Sequence, residues 1–207
     1  DIGESSMKTG VAVMSCESVD VIAYDEDNTI SDSEITRKFA SYLAQKIQYK
    51  YKIDVFERPT RRLQFMKCVE KTKKMLSSNR IVQFELQIGE IDILFHVKRE
   101  ELEGLLSYEI EHVNDKIKTV LERALKKVEK IRVIELIGGC SRIPCLKEKI
   151  SELDLEVLSS TNADECIAAG CALVEMFDVT QRLPFAIEAT MGEEKAIVFQ
   201  ESTILPS

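Results

Sequence analysis

The chain has 207 residues, of which 44% are hydrophobic, and a formal net charge of −8. That is enough apolar material for one or two packed domains, and it excludes intrinsic disorder. The acidic balance excludes nonspecific binding to nucleic acid or to an anionic membrane surface, both of which draw on surplus Lys and Arg, and no apolar run is long enough to span a bilayer.

Asp1-Ile2-Gly3 reads as the middle of a domain, so a piece of a longer protein is expected. Residues 10–16 and 18–25 are apolar and β-branched and read as two strands joined by a tight turn. Over residues 31–51, Ile35, Phe39, Leu43 and Ile47 recur every fourth position, one face of a helix with Ser31 or Asp32 as its cap. Pro59 opens a second helix to about Ser77, with Leu63, Met66, Cys68 and Val69 inward. On it, Glu70, Lys73, Lys74 and Ser77 stand at i, i+3, i+4 and i+7 and share a face. An acid, two ammonium groups and a hydroxyl in a stripe can hydrogen-bond a sugar or polar ring and neutralise phosphate. Read alone, the same stripe is equally a solvated surface with weak Glu–Lys pairs.

Residues 80–87 and 90–97 alternate around Gly89 and read as a hairpin with one wet face. Residues 98–125 read as one long helix, followed by a strand over 132–137, a helix from Ile143, a short strand over 155–158 and a helix over 163–176. Residues 183–189 and 196–199 read as strands around a turn at Gly192. The expected fold class is α/β. Residues 1–177 form one unit with an inserted α+β subdomain over about 54–124, and 178–207 begin separate β structure.

Six cysteines (Cys16, Cys68, Cys140, Cys145, Cys166 and Cys171) include no Cys-x-x-Cys pair. Their mostly apolar surroundings read as free thiols in a reducing cytosol, rather than a disulfide framework or a zinc knuckle. His96 and His112 have no partners at metal spacing.

The sharpest single feature is the run Val133-Ile134-Glu135-Leu136-Ile137-Gly138-Gly139-Cys140-Ser141-Arg142-Ile143-Pro144. A buried strand ends in two glycines, and a helix then opens with proline in its first turn and Ser141 as its expected cap. Strand carboxyl ends facing helix amino ends are where open α/β sheets take ligands, although two glycines alone also describe a plain turn.

Four blocks occur together and in order: Asp1-Ile2-Gly3 opening a strand turn, Glu70-x-x-Lys73-Lys74-x-x-Ser77, Gly138-Gly139-Cys140-Ser141-Arg142, and Asn162-Ala163-Asp164-Glu165 running to Gly170. In this combination the chain resembles the second lobe of the nucleotide-binding domain of the heat shock protein 70 superfamily, over nearly its whole length. The resemblance implies an actin-like (ribonuclease H-like) ATPase fold. It also implies an adenosine clasp in which Glu70, Lys73, Lys74 and Ser77 hold one side and Gly138, Gly139, Cys140, Arg142 and Asp164 the other. Arg142 would stack on the base, and Asp1 and Gly3 would open a phosphate loop for ATP or ADP with magnesium.

The departures are as informative. The loop continues Glu4-Ser5-Ser6 instead of further glycines, and a second diglycine is replaced by Asp25-Glu26-Asp27. Each lost charged contact to phosphate costs roughly 1.5–3 kcal/mol. These losses, with Lys50-Tyr51-Lys52-Ile53-Asp54 after the first long helix, are similar to the divergent heat shock protein 110 branch. That resemblance implies a co-chaperone that exchanges nucleotide on ordinary heat shock protein 70 chaperones and holds unfolded polypeptides. The residues after Phe177 would be the linker and first strands of a substrate domain. No catalytic residue and no metal ligand is expected in this fragment, and at most a weak ATPase in an intact parent. The docking surface would be residues 54–124, steered by Glu101, Glu109 and Glu111. The alternatives are a fragment of an ordinary ATP-dependent heat shock protein 70 chaperone and a degenerate actin-like scaffold.

Overall fold

The computed structural model describes residues 1–163, 165–180, 183, 187–191, 194–200 and 203–204. It is a mixed α/β arrangement. β1 (Met7–Met14) and β2 (Ser18–Asp27) pair antiparallel, with a register shift at Val11/Ala12. α1 (Asp32–Tyr51) follows, and its amino end is capped by the Ser31 hydroxyl, which accepts from Glu34 N. Ile35, Phe39, Leu43 and Ile47 are fully buried along it, so the fourfold repeat is the core face.

α2 (Pro59–Ser78) packs on α1 and on β3 (Ile81–Ile88) and buries Phe65, Val69, Thr72, Lys73 and Leu76; β3 pairs antiparallel with β4 (Ile91–Lys98). Phe56, Phe65, Phe84 and Phe95 form a chain of ring contacts through this layer. Gly89 turns the hairpin at a φ of +61°. Leu63, expected inward, is 59% exposed, because Phe65 takes the core position and turns Leu63 to the opposite side of the helix.

The expected long helix is two. α3 (Arg99–Glu103) stops at Gly104, and α4 (Ser107–Leu125) starts after Leu106, whose backbone leaves the helical region. The break seats Leu102 and Leu106 in the core. It also re-aims α4, so that the acids expected to steer a partner are engaged elsewhere. Glu109 is fully buried, with both carboxylate oxygens on Lys38 Nζ of α1 at 2.8 and 2.9 Å. Glu101 accepts from Lys46 Nζ at 2.7 Å, from the Tyr42 hydroxyl and from Lys98 N. Only Glu111 is exposed.

The Tyr42–Glu101–Lys46 cluster makes α1–α3 docking pH-dependent. Burial, reinforced by the Glu101 carboxylate, pushes the Tyr42 hydroxyl up to about 12. Burial opposes ionisation of Glu101, but hydrogen bonds from Lys46, Tyr42 and Lys98 outweigh it and hold the carboxyl below its usual range. A lowered acid contributes stability that is present above its unfolded value near 4.5 and lost as pH falls through its folded value. A raised tyrosine contributes stability that is present below about 10 and lost as pH rises toward about 12. The melting temperature of Glu101→Gln should therefore fall less than that of the parent on acidification below about pH 4.5. Parallel melting curves would refute the coupling.

β5 (Val133–Glu135) pairs parallel with β6 (Glu156–Leu158), and α5 (Pro144–Ile150) lies between them in sequence. α6 (Cys166–Leu173) follows. β7 (Asp178–Thr180) then joins β2 in parallel register, giving the sheet order β1-β2-β7. β8 (Ile187–Met191) and β9 (Glu194–Phe199) pair with each other; the expected turn at Gly192 lies outside the described residues. Asp1 and Ile2 bridge the two halves. Lys8 N donates to Asp1 O, and Ile2 N donates to Ile137 O just past β5. Beneath this bridge, β1 and β5 flank an apolar cleft of about 810 Å³ lined by Val11, Val13, Ile117, Leu121 and Val133. Among the described residues no helix is long and apolar enough to cross a membrane, and all six cysteines are free.

Candidate functional site

α2 and the diglycine turn, about seventy positions apart in the sequence, meet on one residue of α1. Asp32 Oδ2 accepts Lys73 Nζ at 2.5 Å, and Asp32 Oδ1 accepts the Cys140 thiol at 2.8 Å. Lys73 also donates to Thr36 Oγ1, whose hydroxyl donates to Glu70 Oε1 at 3.0 Å. Burial, with the Asp32 carboxylate beside it, pushes the Cys140 thiol far up, so it is a protonated donor and not a nucleophile.

The turn itself rests on Gly138, at a φ of +88°. A Cβ there would stand 2.2 Å from Asp1 Oδ1 and 2.6 Å from Ile2 O. Bare glycine is what lets the first residues lie against the turn, with Cys140 N donating to Ile2 O at 3.2 Å. Gly139 differs: a Cβ there would meet nothing within 4 Å, and the residue is exposed. Residues Gly139–Arg142 form a 3-10 turn. Ser141, expected to cap the next helix, instead donates its hydroxyl to Gly138 O at 2.7 Å, and α5 begins at Pro144 without a side-chain cap. The 3-10 turn leaves Ile143, two residues past Ser141, at the cap position of α5.

The sequence-derived residues thus fall into groups. Asp1, Gly3 and Gly138 belong to the loop and turn, and Lys73 and Cys140 share Asp32. Glu70 is half-buried and tied in through Thr36 and Lys73. Lys74 and Arg142 are exposed, and Ser77 is half-buried with its hydroxyl on Lys74 O. The helical stripe is therefore split: Lys73 shares the buried phase of Val69 and Leu76, while Lys74, one step on, faces solvent. Asp164 lies outside the described residues.

The expected phosphate loop is closed by its own groups. Gly3 N donates to Ser6 O, while Gly3 O and Glu4 O accept from Asp32 N and Ser33 N at the amino end of α1. The Ser6 hydroxyl donates to Glu26 Oε1 at 2.5 Å, and Tyr24 donates to Glu26 Oε2. The Ser6 bond holds the Glu26 carboxyl below its ordinary range despite some desolvation, so a negative charge stands on the loop hydroxyl. Asp27 is taken by Lys116 and Thr29. A triphosphate with magnesium fits these residues poorly: the Gly3 amide, the Asp32 and Ser33 amides at the amino end of α1 and the Ser6 hydroxyl are spent, and the Glu26 carboxylate on that hydroxyl has the sign of a phosphate. Of the residues expected on a sugar and base side, Lys74, Gly139 and Arg142 are exposed, and Glu70 is half-buried with Oε1 on Thr36 and Lys73.

Asp32 and Glu26 were not identifiable as site residues from spacing, because first-turn acids and strand-end acids are ordinary. Glu135 is a third such residue. Its carboxylate accepts from the amides and hydroxyls of Ser160 and Thr161 and fastens the segment leading to Asn162 onto the end of β5.

Residues 1–180 match the family model described as Hsp70 protein. The chain is similar to the 97 kDa heat shock protein of Mesocentrotus franciscanus, 32% identical over 94% of this chain and 24% of that protein. It is similar to the heat shock 70 kDa protein 4L of Homo sapiens, 30% identical over 90% of this chain and 24% of that protein. A heat shock protein homolog of Lachancea kluyveri is 33% identical over 84% of this chain and 26% of its own length. The chain spans about a quarter of the length of the curated relatives it matches.

Proposed function

This chain belongs to the Hsp70 protein family, with the actin-like ATPase fold which that membership implies, and on that premise we propose that it is lobe II of the nucleotide-binding domain of a divergent heat-shock co-chaperone. In this reading, residues 1–177 are the lobe, with an inserted subdomain over about 54–124, and 178–207 lead into a substrate domain. The co-chaperone acts in a reducing cytosol. It accelerates nucleotide release from an ordinary heat shock protein 70 chaperone by binding that partner's open form more tightly, and it holds unfolded polypeptides alongside it.

One observation carries the site: Asp32 gathers Lys73 and Cys140, and with them the α2 stripe and the diglycine turn, into a single cluster. Around it, Glu70 and Lys74 would hold a sugar, and Gly139 and Arg142 a base, with Arg142 stacking through its planar guanidinium. The ligand is adenosine or the adenosine end of ADP, because the loop beside Asp1 and Gly3 is already self-bonded. In an intact parent, ATP with magnesium would supply the reactive phosphate. Here this chain's residues orient and recognise only the nucleoside end.

Calorimetric titration tests the reading. Arg142→Ala should weaken adenosine by about 1–3 kcal/mol, and ATP with magnesium should bind no tighter than adenosine. Added to an ordinary heat shock protein 70 chaperone carrying labelled ADP, the protein should hasten release. Unchanged release defeats the exchange role, and unchanged adenosine affinity in Arg142→Ala defeats the clasp. The scaffold reading draws on the internal neutralisation of Lys73, and it gains if neither nucleoside binding nor ADP release is observed.

A further inference from the structure

We propose that the outer face of α2 is a docking surface for an acidic polypeptide segment carrying an apolar side chain at its centre. The inference goes beyond the proposed function and does not depend on the clasp taking a nucleoside.

α2 carries six basic side chains, Arg61, Arg62, Lys67, Lys71, Lys73 and Lys74, against one acid, Glu70, in a chain whose net charge is −8. The one acid, Glu70, accepts from Thr36 and Lys73 through Oε1 and borders the groove below with its partly exposed side chain, and Lys73 is neutralised by Asp32. Among the described residues, Lys67, Lys71 and Lys74 have no carboxylate within ion-pair distance, although acids outnumber bases in the chain. They surround a shallow groove of about 560 Å³ floored by Leu63, Met66 and Met75. Leu63 is 59% and Met75 40% exposed. Positions 63, 67, 70 and 74 succeed one another at helical spacing, so the groove runs along the helix axis.

Uncompensated cations flanking an uncovered apolar strip fit one kind of occupant: carboxylates outside and a hydrophobic anchor within. Methionine floors adapt to varied anchors. A nucleic acid fits worse. Its phosphates would leave the apolar floor uncovered, and a long polyanion would run off a helix of 20 residues, roughly 30 Å, onto an acidic remainder. The surface has the opposite sign to the one the sequence pointed to. Glu101 and Glu109, two of the three acids assigned to steering, are bound internally, and Lys67, Lys71 and Lys74 stand exposed along α2.

The test selects short randomised peptides displayed on phage against the 207-residue chain, then measures a fluorescein-labelled enriched peptide by anisotropy. Enriched sequences should be net acidic with an apolar residue at their centre. The double variant Lys67→Glu/Lys71→Glu should bind at least about tenfold more weakly, Leu63→Ser should also weaken binding, and rising salt should weaken it further. Both lysines are exposed, so circular dichroism melts should match the parent. Arg142→Ala should leave peptide binding unchanged, which separates failure here from failure of the clasp. Enrichment of neutral or basic peptides, undiminished binding by the double variant, tighter binding of a labelled single-stranded DNA, or no enrichment at all would each overturn the proposal.

Discussion

Replacing Gly138 by alanine should destabilise the protein by about 3–5 kcal/mol, among the largest effects available to a single methyl group. Two costs add. The backbone at a φ of +88° and ψ of 158° lies in a region open essentially to glycine alone. The new Cβ would also fall 2.2 Å from Asp1 Oδ1 and 2.6 Å from Ile2 O. A side-chain carboxylate can swing aside, but a carbonyl fixed by Cys140 N cannot do so without undoing the bridge between β1 and β5. Gly139→Ala is the internal control. It adds the same methyl group to open space at an ordinary φ and should change stability by no more than about 0.5–1 kcal/mol. Urea denaturation midpoints compare the two. Equal midpoints would mean that Asp1 and Ile2 do not rest on the turn in solution.

The second large effect belongs to Lys38 and Glu109. Glu109 has no exposed surface, and its carboxylate is answered by the Lys38 ammonium at 2.8 and 2.9 Å. Lys38→Met would strand that charge in the interior and should cost about 3 kcal/mol or more. The double replacement Lys38→Met/Glu109→Leu removes both charges and should recover most of the loss, because a buried pair contributes little net stability over an apolar pair of similar volume. A double variant as unstable as the single one would show that packing around α4, not the unpaired charge, sets the cost. In the parent the pair fixes which face of α4 meets α1. Val113, Ile117 and Val120 are buried on the same face of α4 as Glu109.

How much of this was legible beforehand follows from the range of each interaction. The α1 repeat, its cap at Ser31 or Asp32, the Gly89 hairpin and the Pro59 helix start are local patterns, each read within a few residues; each is present, with Ser31 as the cap. The break at Gly104 was missed because Leu102, Leu105, Leu106 and Ile110 keep an uninterrupted apolar rhythm through it. Only packing reveals that Leu102 enters the core from α3 and Leu106 from the break before α4. The exposure of Leu63 was hidden for the same reason: Leu63 and Phe65 compete for one inward direction, and ring packing among Phe56, Phe65 and Phe84 decides it.

The candidate site divides in the same way. Its residue types and order were on the chain, and they sufficed to identify the family. Which of them stay available was not. Lys73 looks identical to Lys74 in sequence, yet one is buried on Asp32 and the other is exposed.

By itself, then, the sequence determined the α/β class, most of the local elements and the kinship, because these depend on periodicity, turn chemistry and short motifs. Tertiary structure alone decided that Asp32 joins α2 to the diglycine turn, that Glu26 stands on the loop serine, and that Lys67, Lys71 and Lys74 are exposed along α2 with no carboxylate at ion-pair distance among the described residues. Charge pairing is set by distances of a few ångströms between residues dozens of positions apart, and no linear spacing encodes that distance.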